Sequence, residues 1–319
     1  MNVVVLEGTI TALTSISHLG GTLGTRSLLR REKVIQPNGE VEEVPIISGN
    51  GLRGLLRDRG MLHMLKQLGY GVNEETGEVV GLSLQAFYFL FSGGILESTP
   101  DYGLDLESAR RWRELVPLIS LFGGAARNQI LPGKLKVGKA IPICQETAHI
   151  IPQRFLPQSL LSIWDLIQEE AYTRKDDEKS EELRVFIVPE DRELVEVRKR
   201  LEEELGRKIG PKQQMRYHIE TLAAGTQFYW ELIVDDPTLL ELDALVVVLG
   251  EFAKYPFIGG RSSVGLGKVK VELENWILID PHLAPRGKPL PAPTGQSYLE
   301  HLSQKGEEIR RLLDELKAT

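Results

Sequence analysis

The chain has 319 residues, of which 42% are hydrophobic and 26% charged, an ordinary globular composition that buries a core without covalent staples. Its one cysteine, Cys144, excludes a disulfide framework within the chain and fits a reducing, cytoplasmic setting. The formal net charge of −7 argues at first against a nucleic-acid partner, but residues 169–204 hold fourteen acids and eight bases, leaving the remainder near neutral.

Val3 to Ser17 alternates apolar or β-branched residues with polar ones and predicts a strand, without the basic and long apolar segments of a signal peptide. A glycine-rich turn at Ser15–Thr22 leads into a polar loop with Arg26, Arg30, Arg31 and Lys33. Pro37-Asn38-Gly39 then separates two strand-like runs, the pattern of a hairpin. Val44 to Gly51 hands over to a helix with Leu52, Leu55, Leu56, Met61, Leu62 and Leu65 on its apolar face, capped by Ser48 or Asn50.

Helical periodicity returns over Ser83–Phe91 and Leu106–Leu121, and residues 122–157 are rich in Gly and Pro with strand-like pieces such as Lys134–Ala140. Residues 160–210 are charged with helical period, and a strand pair or bulged strand is expected from Met215. Pro237–Tyr255 reads as an apolar helix, Gly259–Gly267 as a glycine-rich loop, and Lys268–Trp276 as a strand. Asp280–Pro293, with five prolines, reads as a linker, and a last helix begins at Ser297 with Glu300 completing a capping box. The longest apolar stretches, such as Leu242–Leu249, are too short to span a bilayer, and no membrane role is expected.

This order fits an α+β chain with a ferredoxin-like (RRM-like) βαββαβ core and large insertions. The core covers about 1–69 and 215–280 within a single 1–280 unit, the insertions cover 70–214, and a linker (281–296) and a C-terminal helix (297–319) follow.

Several segments have the chemistry to hold a polyanion. Ser48–Arg57 sets a glycine-rich turn at a helix N-terminus, with Arg53 and Arg57 one helical turn apart; Asn50 sits at the same turn. Gly259–Gly267 offers closely spaced amides, with Arg261, Ser262 and Ser263 as donors to phosphate or ribose oxygens. It lacks the lysine of a phosphate-binding P-loop, since Leu266 follows Gly265, and it leads into a strand rather than the helix of a dinucleotide site. Arg127, Lys134, Lys136 and Lys139 form a basic run that either tracks a nucleic-acid backbone or is a solvated loop. Cys144 and His149 are an isolated pair without zinc spacing, and neither metal nor cofactor is expected.

Together, Ser17-His18-Leu19-Gly20-Gly21, Pro45-Ile-Ile-Ser-Gly-Asn-Gly-Leu-Arg-Gly-Leu-Leu-Arg57 and Gly259-Gly-Arg-Ser-Ser-Val-Gly-Leu-Gly-Lys268 resemble the RAMP superfamily of CRISPR-associated proteins. The Ser-Gly-Asn-Gly-Leu-Arg-Gly form and the Gln214-Met215-x-Tyr217 start look closest to the type IV backbone subunit, with the type I-D backbone as a neighbour. The resemblance implies a subunit that oligomerises along a CRISPR RNA (crRNA), with other effector subunits as partners and a complementary target bound through the guide. It also implies a thumb-like hairpin within about 170–214, and RNA contacts from His18, Arg26, Ser48, Asn50, Arg53, Arg57, Arg127, Lys134, Lys136, Gln214, Met215, Arg261, Ser262 and Ser263.

Target-cleaving type III relatives carry an aspartate between the first strand and the Pro-x-Ser-Gly motif. The interval Gly20–Pro45 here holds Glu32, Glu40, Glu42 and Glu43 but no aspartate, which favours a non-catalytic role. The alternative is a superfamily endoribonuclease using His18 as a base, for which no acid–base partner stands out. A metabolic enzyme of similar fold is a second rival.

Overall fold

Alternation puts Val4, Leu6, Ile10 and Ala12 of the first strand, β1 (Val3–Ala12), on its buried side. A computed structural model describes residues 2–72, 77–94, 106–126, 129–173, 197, 200, 201, 204, 216–282 and 284–316. The expected thumb-like region therefore lies largely outside the described residues.

After β1 come β2 (Leu19–Leu23), β3 (Arg26–Leu29) and the hairpin β4 (Arg31–Ile35)–β5 (Val41–Pro45), which turns at Pro37–Gly39. α1 (Gly49–Gln67) follows, then a short hairpin of β6 (Gly71–Val72) and β7 (Val79–Val80), and the helices α2 (Leu84–Phe91), α3 (Leu106–Leu115) and α4 (Pro117–Phe122). β8 (Gly124–Ala126), β9 (Gln129–Leu131), β10 (Leu135–Val137) and β11 (Ile141–Pro142) are short strands. A single helical turn, α5 (Ile163–Leu166), runs into β12 (Ile167–Thr173). The remainder is β13 (Arg216–Leu222), β14 (Gln227–Asp235), α6 (Leu239–Lys254), β15 (Val269–Asp280), β16 (Ala284–Pro289) and α7 (Gln296–Asp314).

The main sheet has the order β10–β14–β1–β15–β16, with β11 also on β14, and β1 runs antiparallel to both of its neighbours. α1 and α6 lie side by side, and a Cβ on Gly60 would come within 2.7 Å of Val248 Cγ2. That close approach is why glycine stands in the middle of α1. Phe122, Trp230, Phe252 and Tyr298 fill the core around these helices. Tyr229 points to the opposite face, where Ile143, Ile151 and Phe155 pack against it. Chain β is thus mixed with α, and β12–β13–β3–β2 form a second sheet in which β13 and β3 are parallel.

Four sequence expectations change. The Leu106–Leu121 helix breaks at Pro117, where a helical N–H is missing. In the charged 160–210 stretch a single helical turn, α5, gives way to a strand, β12, where helical period was expected. β13 and β14 do not pair with each other; they enter different sheets. The proline-rich linker contains β16, an edge strand, where missing ladder donors are tolerated.

The last helix also starts differently. Gly295 is its N-cap, and no side chain of its own caps it. Asp243 of α6 does the work instead, accepting from the main-chain N–H of Gly295 (2.9 Å) and Ser297 (3.0 Å). Tyr298, Leu302, Ile309, Leu312 and Leu313 are buried, so α7 docks on the core of its own chain.

Candidate nucleic-acid interface

The segment after β1 is where the three glycine-rich junctions meet. Ile16 exchanges main-chain hydrogen bonds with Leu222, and Gly260 N–H donates to the Ser17 carbonyl at 2.7 Å. Gly267 N–H donates to the Ser15 carbonyl at 2.8 Å and accepts, through its own carbonyl, from Ile258 at 2.9 Å. The 258–267 loop is therefore laced to the end of β1. Gly259 sits at φ 75°, and a Cβ there would lie 2.3 Å from the Ser17 carbonyl oxygen. Only glycine permits both the backbone angle and the approach.

The third junction joins through His18. Its Nε2 accepts the Ser48 main-chain N–H at 3.1 Å and lies 3.0 Å from Ser48 Oγ, while Ser48 Oγ accepts the Gly51 N–H as the cap of α1. Because Nε2 is an acceptor, the ring proton belongs on Nδ1. Burial first, and the nearby Arg30 second, lower the His18 pKa below its ordinary value, so the ring is neutral near pH 7.

His18, Asn50, Gly51, Asp58, Phe257 and Gly259 border a cleft of about 380 Å³. No acid occupies the first turn of α1, which leaves its positive dipole end uncompensated there. Burial raises the Asp58 carboxyl against the opposing pull of Arg57 and Arg59. The cleft offers a helix N-terminus, a glycine-rich loop and a neutral imidazole. These are suited to an oxyanion.

The other sequence-predicted residues divide. Arg53 and Arg57 turn inward. Both donate to the Phe122 carbonyl at the end of α4, and Arg57 also reaches the Gly123 carbonyl. Arg57 is 6% exposed, and burial lowers its pKa to about 10. This corrects the expectation that it meets phosphate; it is a structural cap for α4. A helical wheel could not show that an incoming helix end would claim both guanidiniums.

Arg26 pairs with Glu169 and Glu220, and Arg31 also reaches Glu220. Lys134 bridges to the buried Glu241 at 2.9 Å, which ties β10 to α6. Lys136 pairs with Asp235, and Lys139 with Glu32. The basic run thus has carboxylate partners brought from other elements, although Lys136 and Lys139 stay exposed. Ser262 and Ser263 are exposed on the glycine-rich loop, and Arg261 lies over Tyr217. Arg127, Gln214 and Met215 lie outside the described residues.

Sequence reasoning missed Asp58 and Phe257 at the cleft, the influence of Arg30 on His18, and the Tyr172–Tyr217 pair. Tyr217 stood inside a quoted motif, but its partner is revealed only by the β12–β13 register. Cys144 is buried, and burial pushes its thiol up to about 11, so it is not a reactive nucleophile. Among the described residues no cluster of His, Cys, Asp and Glu is arranged to hold a metal ion, and no helix is long and apolar enough to cross a membrane.

No family model matches the sequence, and no curated protein matches it. Among solved structures, a chain of a Type IV-B CRISPR complex superposes with a TM-score of 0.55 at 26% sequence identity, covering 92% of this chain and 96% of that one. The chain is therefore similar, along almost its whole length, to a component of the kind of complex to which its three glycine-rich junctions pointed.

Proposed function

We propose that the chain is a CRISPR effector-complex subunit of type IV character, a non-catalytic backbone protein that binds crRNA and stacks with further copies of itself along it. The observation that carries this reading is the convergence of His18, the capped N-terminus of α1 and the Gly259–Gly267 loop on one cleft. The strand order β15–β1–β14–β10, with α1 and α6 packed together, supports a ferredoxin-like core. The match to a Type IV-B complex chain supports the assembly role.

On this reading the cleft holds one stretch of RNA backbone through main-chain amides and the helix dipole, and the exposed lysines Lys136 and Lys139 add long-range attraction. Sequence is then read by guide–target pairing and not by this protein. A scaffold role is supported by the use of His18 as an acceptor from Ser48, and by the absence of an aspartate between Gly20 and Pro45.

The test is direct. Labelled single-stranded RNA containing a CRISPR repeat is incubated with the full chain and followed for binding and for cleavage. Tight, salt-sensitive binding with the RNA left intact is expected. Cleavage that His18→Ala abolishes would instead establish the endoribonuclease alternative.

A further inference from the structure

Near the Gly259–Gly267 loop, the β12–β13 ladder carries an aromatic pair that phosphate binding does not use. Tyr172 and Tyr217 are directly opposite in the ladder, with ring centroids 5.7 Å apart and planes 12° from parallel. The Arg261 guanidinium carbon lies 5.2 Å from the Tyr217 ring centroid. The Tyr172 hydroxyl donates to Glu170 Oε2 at 2.6 Å, and Glu170 also accepts from Thr221 Oγ1 at 3.3 Å, which fixes the orientation of the ring. Both rings are half-buried and Arg261 is exposed. Arg261 also holds a left-handed backbone, φ 64°, which is uncommon for a residue with a Cβ. Such strain is found where a side chain must be aimed.

We propose that Tyr172, Tyr217 and Arg261 form a stacking site for one unpaired nucleobase, which extends the column of rings and guanidinium. The inference rests on the RNA-binding reading above, and it changes the role of Arg261 from phosphate donor to base contact. Arg261 lies two residues after Gly259, which borders the cleft, so a backbone held at the α1 N-terminus places a neighbouring base at these rings. Every base has a flat face that stacks on aromatic or guanidinium planes, so the site tolerates any sequence but requires a single strand.

Fluorescence anisotropy on the full chain tests this, with a short single-stranded RNA and the same strand carrying abasic positions. Tyr217→Phe is expected to bind like the parent. Arg261→Lys, which keeps the charge and loses the plane, and Tyr217→Leu are expected to weaken binding of the intact strand about tenfold. Neither is expected to weaken binding of the abasic strand. Wild-type affinity for the Arg261→Lys variant would overturn the site, and because Arg261 is exposed that variant tests it independently of the fold. Equal losses on both strands would overturn it too. A parent protein that binds both strands equally would leave the RNA-binding reading intact and remove the stacking site, whereas a parent that binds neither would defeat both.

Discussion

Ser48 donates its main-chain N–H to Nε2 of His18 at 3.1 Å, across thirty residues of sequence. That single bond ties the end of the first strand's turn to the start of α1, and it sets one wall of the cleft. It also dictates a pH dependence. Burial and Arg30 hold the folded-state His18 pKa below its ordinary 6.5. Between the lowered value and 6.5 the unfolded chain binds more protons, so stability is lost as pH falls through that window. Thermal melting at pH 7.5 and 5.5 is expected to show a drop in the wild type that shrinks in His18→Gln.

Gly259 is tightly constrained in the site. Its φ of 75° and the 2.3 Å approach to the Ser17 carbonyl leave no room for a Cβ. Gly259→Ala is expected to cost roughly 2 kcal/mol or more in denaturant unfolding. Gly21→Ala meets nothing within 4 Å and is expected to be near neutral.

Arg57 is held inside the protein. Replacing it with alanine leaves the Gly123 carbonyl without this donor and opens a cavity next to Phe122. A loss of about 2–4 kcal/mol is expected. RNA affinity of the fraction that remains folded should not change. A large affinity loss at unchanged stability would return Arg57 to the interface.

Lys136 and Lys139 are expected to behave in the opposite way. Their pairs with Asp235 and Glu32 are exposed, and such pairs contribute within about 1 kcal/mol. Alanine at either position should leave the melting temperature nearly unchanged. It should weaken RNA binding evenly across sequences and reduce the salt slope by about 1 per lysine that meets a phosphate.

The parts of this fold that were legible in the sequence are the ones with a local cause. β1 alternates, the Pro37–Gly39 turn makes its hairpin, and the apolar run within Pro237–Tyr255 makes α6. The glycine junctions were legible because positive φ and close approach leave few other residues possible. What escaped depends on partners distant in sequence. β12 was hidden in an acidic stretch because its pairing with β13 spans the segment between them, and β16 was hidden by prolines that only an edge strand accepts. The inward turn of Arg53 and Arg57 depends on where α4 ends, and no spacing within α1 encodes that.

On the proposed reading, the cleft between His18, α1 and the Gly259 loop holds a guide RNA. The most direct measurement is the sequence and length of any RNA that copurifies with the full chain at low salt. RNA of uniform length with ends derived from a CRISPR repeat is expected, bound so that a Gly259→Ala protein retains less of it. Protein that purifies free of nucleic acid, and that does not bind such an RNA when it is supplied, would rule out a guide-RNA role for the cleft.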